Sequence, residues 1–426
     1  MKTPSPRSIP FPATLVLLVI VVSPAAAFAG TAHGPEETIS AGGVEIAVPG
    51  YSVPSFAFWD GDALPDLLVG EGGGAYPDGK VRVYPNVGTL SEPLFDGWFY
   101  VQSDGEDLIC PGSGCMGCFP RVVHWDGDGK KDLVIGRSDG TVWIYKNIGT
   151  DPSPTFDGGT PIRVGEPGSE VNIDVGNRAT PIVTDWNLDG KQDLVVGAYD
   201  GKIHLFLNEG EDTLPVFRIE TFAIEDGLDL LVPTARSSPE FADWDGDGVR
   251  DLLTGNTEGQ ILVYSNVGTD DAPLFSGYIF EESGGSSIDL AGSARSRPFV
   301  CAWGEDDYLD LLVGAGDGKV RLYEGVSDTG LPGGGESAPP AVRTLLACPN
   351  PFNPSTELRF FAPGDGRVTV TVHDLRGREI AVLFDAPGDG ERHAIIWNAG
   401  DLPSGVYLVR VGSGAASETV KTVLVR

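Results

Sequence analysis

Five copies of one short acidic segment constrain this chain more than any other feature. They read WDGDALPDLLVG from Trp59, WDGDGKKDLVIG from Trp125, WNLDGKQDLVVG from Trp186, WDGDGVRDLLTG from Trp244 and WGEDDYLDLLVG from Trp303. Their closing aspartates, Asp66, Asp132, Asp193, Asp251 and Asp310, lie 58 to 66 residues apart. A second element follows each copy: DGKVRVYPNVGT, DGTVWIYKNIGT, DGKIHLFLNEGE, EGQILVYSNVGT and DGKVRLYEGVSD. A third, weaker element (GVEIAVPG, DLICPG, VNIDVG, IDLAG) leads to a proline ahead of the acidic loop.

Every element reads as β. DLLVG is a short apolar run, and KVRVY and KIHLF alternate polar with apolar residues. The Asp-Gly and Glu-Gly pairs between them suit the positive φ angles of tight hairpins. With 59 glycines and 33 prolines, the composition favours short strands and turns over long helices. A four-stranded repeat of about 60 residues is the size of a long propeller blade. One such sheet cannot bury both faces, whereas a ring of sheets stacks face to face. The expected fold class is therefore all-β: a β-propeller over residues 30–325, with five repeats read as five blades. The last repeat lacks the Pro-Phe strand of the others, so Glu36–Val48 are expected to pair with it and close the ring.

The acidic loops carry the chemistry. Asp185, Asn187, Asp189 and Asp193, and likewise Asp243, Asp245, Asp247 and Asp251, stand at positions 1, 3, 5 and 9 of their loops. Alternate spacing turns such oxygens towards one centre, and glycine at position 6 permits the bend. Oxygen-only donors in a flexible loop suit Ca²⁺ over Zn²⁺ or Mg²⁺. The second loop has His124 at position 1, leaving Asp126, Asp128 and Asp132 as a weaker site. The first has Phe58 at position 1 and Ala63 at position 6, leaving Asp60, Asp62 and Asp66. The fifth keeps only Asp306 and Asp310 in register and is expected to hold no ion. Ordinary Asx turns are the competing explanation of such loops.

These loops, with the DGxVxxYxNxGT elements after them, resemble the FG-GAP/VCBS-type repeats of integrin-α-like propellers over roughly residues 36–330. The resemblance implies calcium loops on one face and a role in adhesion or ligand binding. Such repeats usually build seven blades, and this chain departs in repeat number.

Residues 326–342 read as a Gly/Pro/Ser-rich linker. Beyond it the repeat signature stops, and TELRFF, RVTVTVHD, REIAVLF, HAIIWN, GVYLVRV and ETVKTVLV suggest a small immunoglobulin-like β-sandwich over 343–426. CPNPFNPST (348–356), VHDLRGREIAVL (372–383), Trp397, LPSGVYLVRV (402–411) and the ending KTVLVR resemble the C-terminal sorting domain of type IX (Por) secretion substrates. That resemblance implies the type IX machinery as a partner and a secreted or outer cell-surface location.

Residues 1–29 fit the first export step. Lys2 and Arg7 precede an apolar run from Ile9 to Val22, and Ala27-Phe28-Ala29 suits cleavage of a signal peptide. No later segment is apolar enough to span a bilayer as a helix. An oxidising destination predicts a disulfide among Cys110, Cys115 and Cys118. The formal charge of −32 argues against nucleic acid and anionic membranes as partners.

No catalytic set stands out. GRSDG (136–140) matches a nucleophile-elbow pattern, but the same turn reads GAYDG, GNTEG and GAGDG in other repeats. The expectation is a non-enzymatic, calcium-binding module for adhesion to a glycan or another protein. The alternative is a secreted polysaccharide lyase or hydrolase on a propeller scaffold. The recurring Trp59, Trp125, Trp186, Trp244 and Trp303 are expected to pack between blades.

Overall fold

The computed structural model describes residues 32–326 and 344–424, apart from positions 63, 115, 247, 291, 293–294, 305, 307, 349–354, 363–365, 375, 389–390, 401 and 414–415. The expected signal peptide, nearly all of the linker, Ala63, Cys115 and Asp247 lie outside the described residues. No helix occurs among the described residues, which are all-β.

Each repeat folds as one antiparallel sheet in chain order. The first comprises Val53–Phe58, Pro65–Gly70, Val81–Tyr84 and Phe99–Tyr100. The second comprises Phe119–Val123, Asp132–Gly136, Val142–Tyr145 and Thr160–Pro161. Thr180–Thr184, Asp193–Gly197, Ile203–Asn208 and Phe217–Phe222 form the third, which also takes on the hairpin Arg163–Val164 and Val171–Asn172. Ser238–Ala242, Asp251–Gly255, Ile261–Tyr264 and Ile279–Phe280 form the fourth. In the fifth, Arg297–Cys301, Asp310–Gly314 and Val320–Tyr323 come from the repeat itself, and the outer strand is Glu37–Thr38. Glu37 lies opposite Leu322 and Thr38 opposite Arg321, which is the expected pairing of the N-terminal segment.

The sheets pack in cyclic order, which gives a propeller-like arrangement. The second strand of each sheet ends on a glycine whose α-carbon lies against the next sheet. A Cβ on Gly136 would come 2.1 Å from Ala179 O, and one on Gly314 would come 2.4 Å from Ser52 O, so the fifth sheet meets the first as the second meets the third. Apolar clusters fill the seams. Leu68, Val83, Leu133 and Ile135 join the first sheet to the second, and Phe56, Leu67, Leu312 and Leu322 join the first to the fifth. Each fully buried aliphatic chain of this kind contributes roughly 1.5–3 kcal/mol.

The repeated tryptophans are buried in these seams. Trp59 packs on Phe156, Trp125 on Phe217 and Trp186 on Phe275, each a phenylalanine one repeat ahead. Trp303 of the last repeat packs on Phe95 of the first. The fifth repeat has no such phenylalanine, and His33 of the N-terminal segment stacks on Trp244 in its place.

The first strands converge. Arg121 of the second sheet donates to Pro54 O of the first and to Glu240 of the fourth, and its guanidinium lies 4.9 Å from the Phe299 ring of the fifth. Cys110 is joined to Cys118, within the trio expected to hold a disulfide.

The C-terminal region has two sheets. Thr344–Cys348, Ser355–Ala362 and Glu391–Asn398 form one. Glu379–Pro387, Arg367–Asp374, Gly405–Ser413 and Ala416–Leu424 form the other. One core, including Leu358, Phe360 and Trp397 from the first and Val370, Val409 and Val411 from the second, lies between them.

Candidate metal centre

Each acidic loop joins the first strand of a sheet to the second, and all five share one anchor. The position-9 aspartate is buried, and its two oxygens accept from two backbone N–H groups. Asp66 takes Trp59 N at 3.0 Å and Asn86 N at 2.7 Å. Asp132 takes Trp125 N and Asn147 N, Asp193 takes Trp186 N and Asn208 N, and Asp251 takes Trp244 N and Asn266 N. In the fifth repeat Asp310 takes Trp303 N and Gly325 N. This aspartate therefore ties the loop to the turn that leaves the third strand. Burial raises the pKa of all five: Asp66, Asp193 and Asp310 to about 6, Asp251 to about 7, and Asp132 in the same direction. The backbone N–H donors oppose that rise without cancelling it.

The asparagine at or just past the end of the third strand in the first four repeats was not among the expected functional residues. The side-chain oxygen of Asn86 accepts from Gly88 N and Leu94 N, and Asn147, Asn208 and Asn266 make the equivalent pair of bonds. Its recurrence in PNVGT, KNIGT, LNEGE and SNVGT was the available signal.

The remaining loop oxygens differ between repeats. In the fourth loop Asp243, Asp245 and Asp251 each offer a carboxylate oxygen, and these lie within 4.8 Å of one another. Gly248 N donates to Asp243 Oδ2 at 3.0 Å, and Gly246 and Gly248 adopt φ of 75° and 91° to close the turn. Three half-buried to buried carboxylates and no nitrogen or sulfur donor fit a hard cation. Asp247, the expected fourth ligand, lies outside the described residues.

In the third loop the side chains serve the backbone. Asp185 accepts from Asp189 N and Gly190 N, Asn187 from Asp189 N, and Asp189 from Lys191 N, which is a ladder of Asx turns. Burial raises the pKa of Asp185. Among the described residues, Asp185, Asp189 and Asp193 do not form as tight a group as the fourth-loop trio.

The second loop carries its own cations. Lys146 Nζ lies 3.0 Å from Asp126, and Lys130 Nζ lies 3.1 Å from Asp128. His124 Nδ1 lies 3.0 Å from Lys130 O, the position-7 carbonyl that a metal would use. This donor set fits a metal poorly. Sequence spacing could not reveal Lys146, which lies 20 residues beyond Asp126 and reaches it from the turn after the third strand. In the first loop Asp60 and Asp62 are exposed, accepting from Asp62 N and Leu64 N. In the fifth, Asp306 accepts from Tyr308 N.

Comparison with known proteins locates two families in the chain. Residues 185–254, spanning the third and fourth loops, match the model of the FG-GAP-like repeat. Residues 347–426 match the secretion system C-terminal sorting domain. No curated protein matches the chain. Among solved structures, PorZ, a bacterial surface component of the type-IX secretion system of Porphyromonas gingivalis, is 14% identical. That match covers 92% of this chain and 46% of PorZ at a TM-score of 0.30, so the chain spans under half of that protein's length. A glycoside hydrolase family 43 arabinoxylan arabinofuranohydrolase from Bacillus subtilis is 11% identical, covering 89% of this chain and 95% of the enzyme at a TM-score of 0.34. TM-scores this low carry no argument about this chain. The family matches do: the chain carries an FG-GAP-like repeat within a propeller-like all-β fold, and a sorting domain that marks it for export by the type IX secretion system to the cell surface or beyond.

Proposed function

We propose that this protein is a five-bladed β-propeller that binds calcium and acts, after export, as a binding or adhesion module, with its C-terminal sandwich of immunoglobulin-like form. The convergence of Asp243, Asp245 and Asp251 in one loop carries the calcium reading. Three carboxylates that close repel one another, and a divalent cation offsets that repulsion. The five-bladed reading is supported by the contacts between the fifth sheet and the first, and by the N-terminal strand in the fifth. The non-enzymatic reading is supported by how the recurring acids are used: each closing aspartate is committed to two backbone donors.

Calorimetric titration of the chelator-treated protein is the test. Calcium uptake that disappears in Asp245→Asn is expected, together with a higher melting temperature on calcium addition. A calorimetric trace without heat of binding, or an unchanged Tm, refutes the calcium reading. Incubation with polysaccharides, assayed for new reducing or unsaturated ends, tests the absence of turnover.

A further inference from the structure

The end of the first strands opposite the acidic loops gathers positive charge in a chain of formal net charge −32. Three residues before the strand proline, repeats three, four and five carry Arg178, Arg236 and Arg295. All three adopt left-handed backbone, with φ of 62°, 63° and 73°. Each N–H is held by the sheet before it: Arg178 N by Ser138 O, Arg236 N by Tyr199 O and Arg295 N by Thr257 O. A non-glycine residue kept in that conformation is a strained feature that neighbouring structure maintains, as happens where a side chain must be aimed.

The side chains form a continuous arc. Arg178 donates to Ser237 O and Ser238 Oγ, next to Arg236 in the chain. Arg236 Nη1 donates to Thr257 Oγ1 at 3.1 Å and its guanidinium lies 4.6 Å from the Tyr199 ring centroid. Arg295 donates to the Tyr51 hydroxyl, and the Arg295 and Arg297 guanidinium groups lie 5.1 and 5.0 Å from the Tyr51 ring. Arg297 Nη1 donates to Arg295 O. Arg178 and Arg297 are fully buried, so their charge is held in place. Among the described residues, no carboxylate forms an ion pair with Arg236 or Arg295, although acids outnumber bases 61 to 29. Among the described residues the Nη2 groups of both make no hydrogen bond, while Nη1 is engaged and Nε is buried. A guanidinium N–H makes a strong charge-assisted bond to a carboxylate.

We infer that this arc binds the carboxylate of an acidic sugar. The net charge disfavours a polyanion, so a single carboxylate on a neutral frame suits the site best. Tyr199, 50% exposed beside Arg236, offers ring surface to the sugar. The Thr257 hydroxyl donates to Thr234 O and accepts from Arg236, holding that side chain in place. The site is separate from the metal loops and deepens the binding-module reading by naming a ligand class.

The test compares methyl glucuronide with methyl glucoside, which differ only in the carboxylate, by ligand-observed NMR on the full chain. Acetate, inorganic sulfate and a short acidic peptide are the control probes. Binding of the glucuronide with no binding of the glucoside is expected, weakened about tenfold or more in Arg236→Gln and in Arg295→Gln. Arg236→Lys keeps the charge and loses the guanidinium, so it should recover only part of the affinity. Equal binding of the glucoside, equal binding of acetate, sulfate or the peptide, or unchanged affinity in both glutamine variants overturns the inference. Melting temperature and calcium titration of the same variants report on folding and on the loops, so loss of this site is distinguishable from failure of the calcium reading.

Discussion

A single residue type does two different jobs in the acidic loops. The position-9 aspartate serves as a structural anchor in all five repeats, and the aspartates at positions 1 and 3 add metal-ligand geometry in the fourth. These roles are separable. Asp310→Ala removes the acceptor for Trp303 N and Gly325 N in a loop expected to hold no ion. Leaving two buried donors unpaired should cost about 3 kcal/mol, whether or not calcium is present. Asp245→Asn should abolish calcium stabilisation while leaving the chelated protein near wild type. Chemical denaturation of both variants, each with and without calcium, checks the pair.

The anchors also set a pH dependence. Their folded pKa values, about 6 to 7 where burial dominates, lie above the ordinary aspartate value near 3.8. The folded state therefore binds more protons than the unfolded state in that window. The stability these groups contribute is fully present below about pH 4 and is lost as pH rises through 6 to 7. The chelated protein should melt higher at pH 5 than at pH 8. A flat or falling profile on acidification would contradict the assignment of burial as the cause.

At the scale of elements, the contact between last sheet and first is the decisive one. Gly314 reaches Ser52 O as closely as the other seam glycines reach their neighbours, because no Cβ stands between the two backbones. Gly314→Ala should destabilise by about 1–3 kcal/mol through overpacking, and Gly136→Ala at the seam between the second and third sheets should cost a similar amount. Thermal melts of the two variants compare the seams directly. A neutral Gly314→Ala beside a damaging Gly136→Ala would mean that the ring is open between the fifth sheet and the first.

For the whole molecule, two matched regions divide the work between a repeated β-domain and a sorting domain. Removal of residues 347–426 should leave the protein inside a type IX-competent cell, while a wild-type copy reaches the surface or medium. Fractionation followed by immunodetection reads the outcome, and export of the truncated chain would show that the sorting domain is dispensable.

Much of this was legible in the chain itself. Five tryptophans at one register and five aspartates 58 to 66 residues apart set the sheet count, because each repeat needs a neighbour to cover its apolar faces. A last repeat without its Pro-Phe strand pointed to the N-terminal segment that fills the edge. Spacing alone could not separate one loop from another. Loops three and four read alike, yet only in the fourth do three carboxylates converge among the described residues, while Lys146 and Lys130 occupy the second. Of the arginine arc the sequence shows Arg178, Arg236 and Arg295 three residues before the strand proline of successive repeats. It does not show that they come together, which happens only when successive sheets pack side by side. Local pattern determines strands and turns because those depend on near neighbours. Which charges face one another depends on side chains from different sheets, and only the packing of those sheets brings them together.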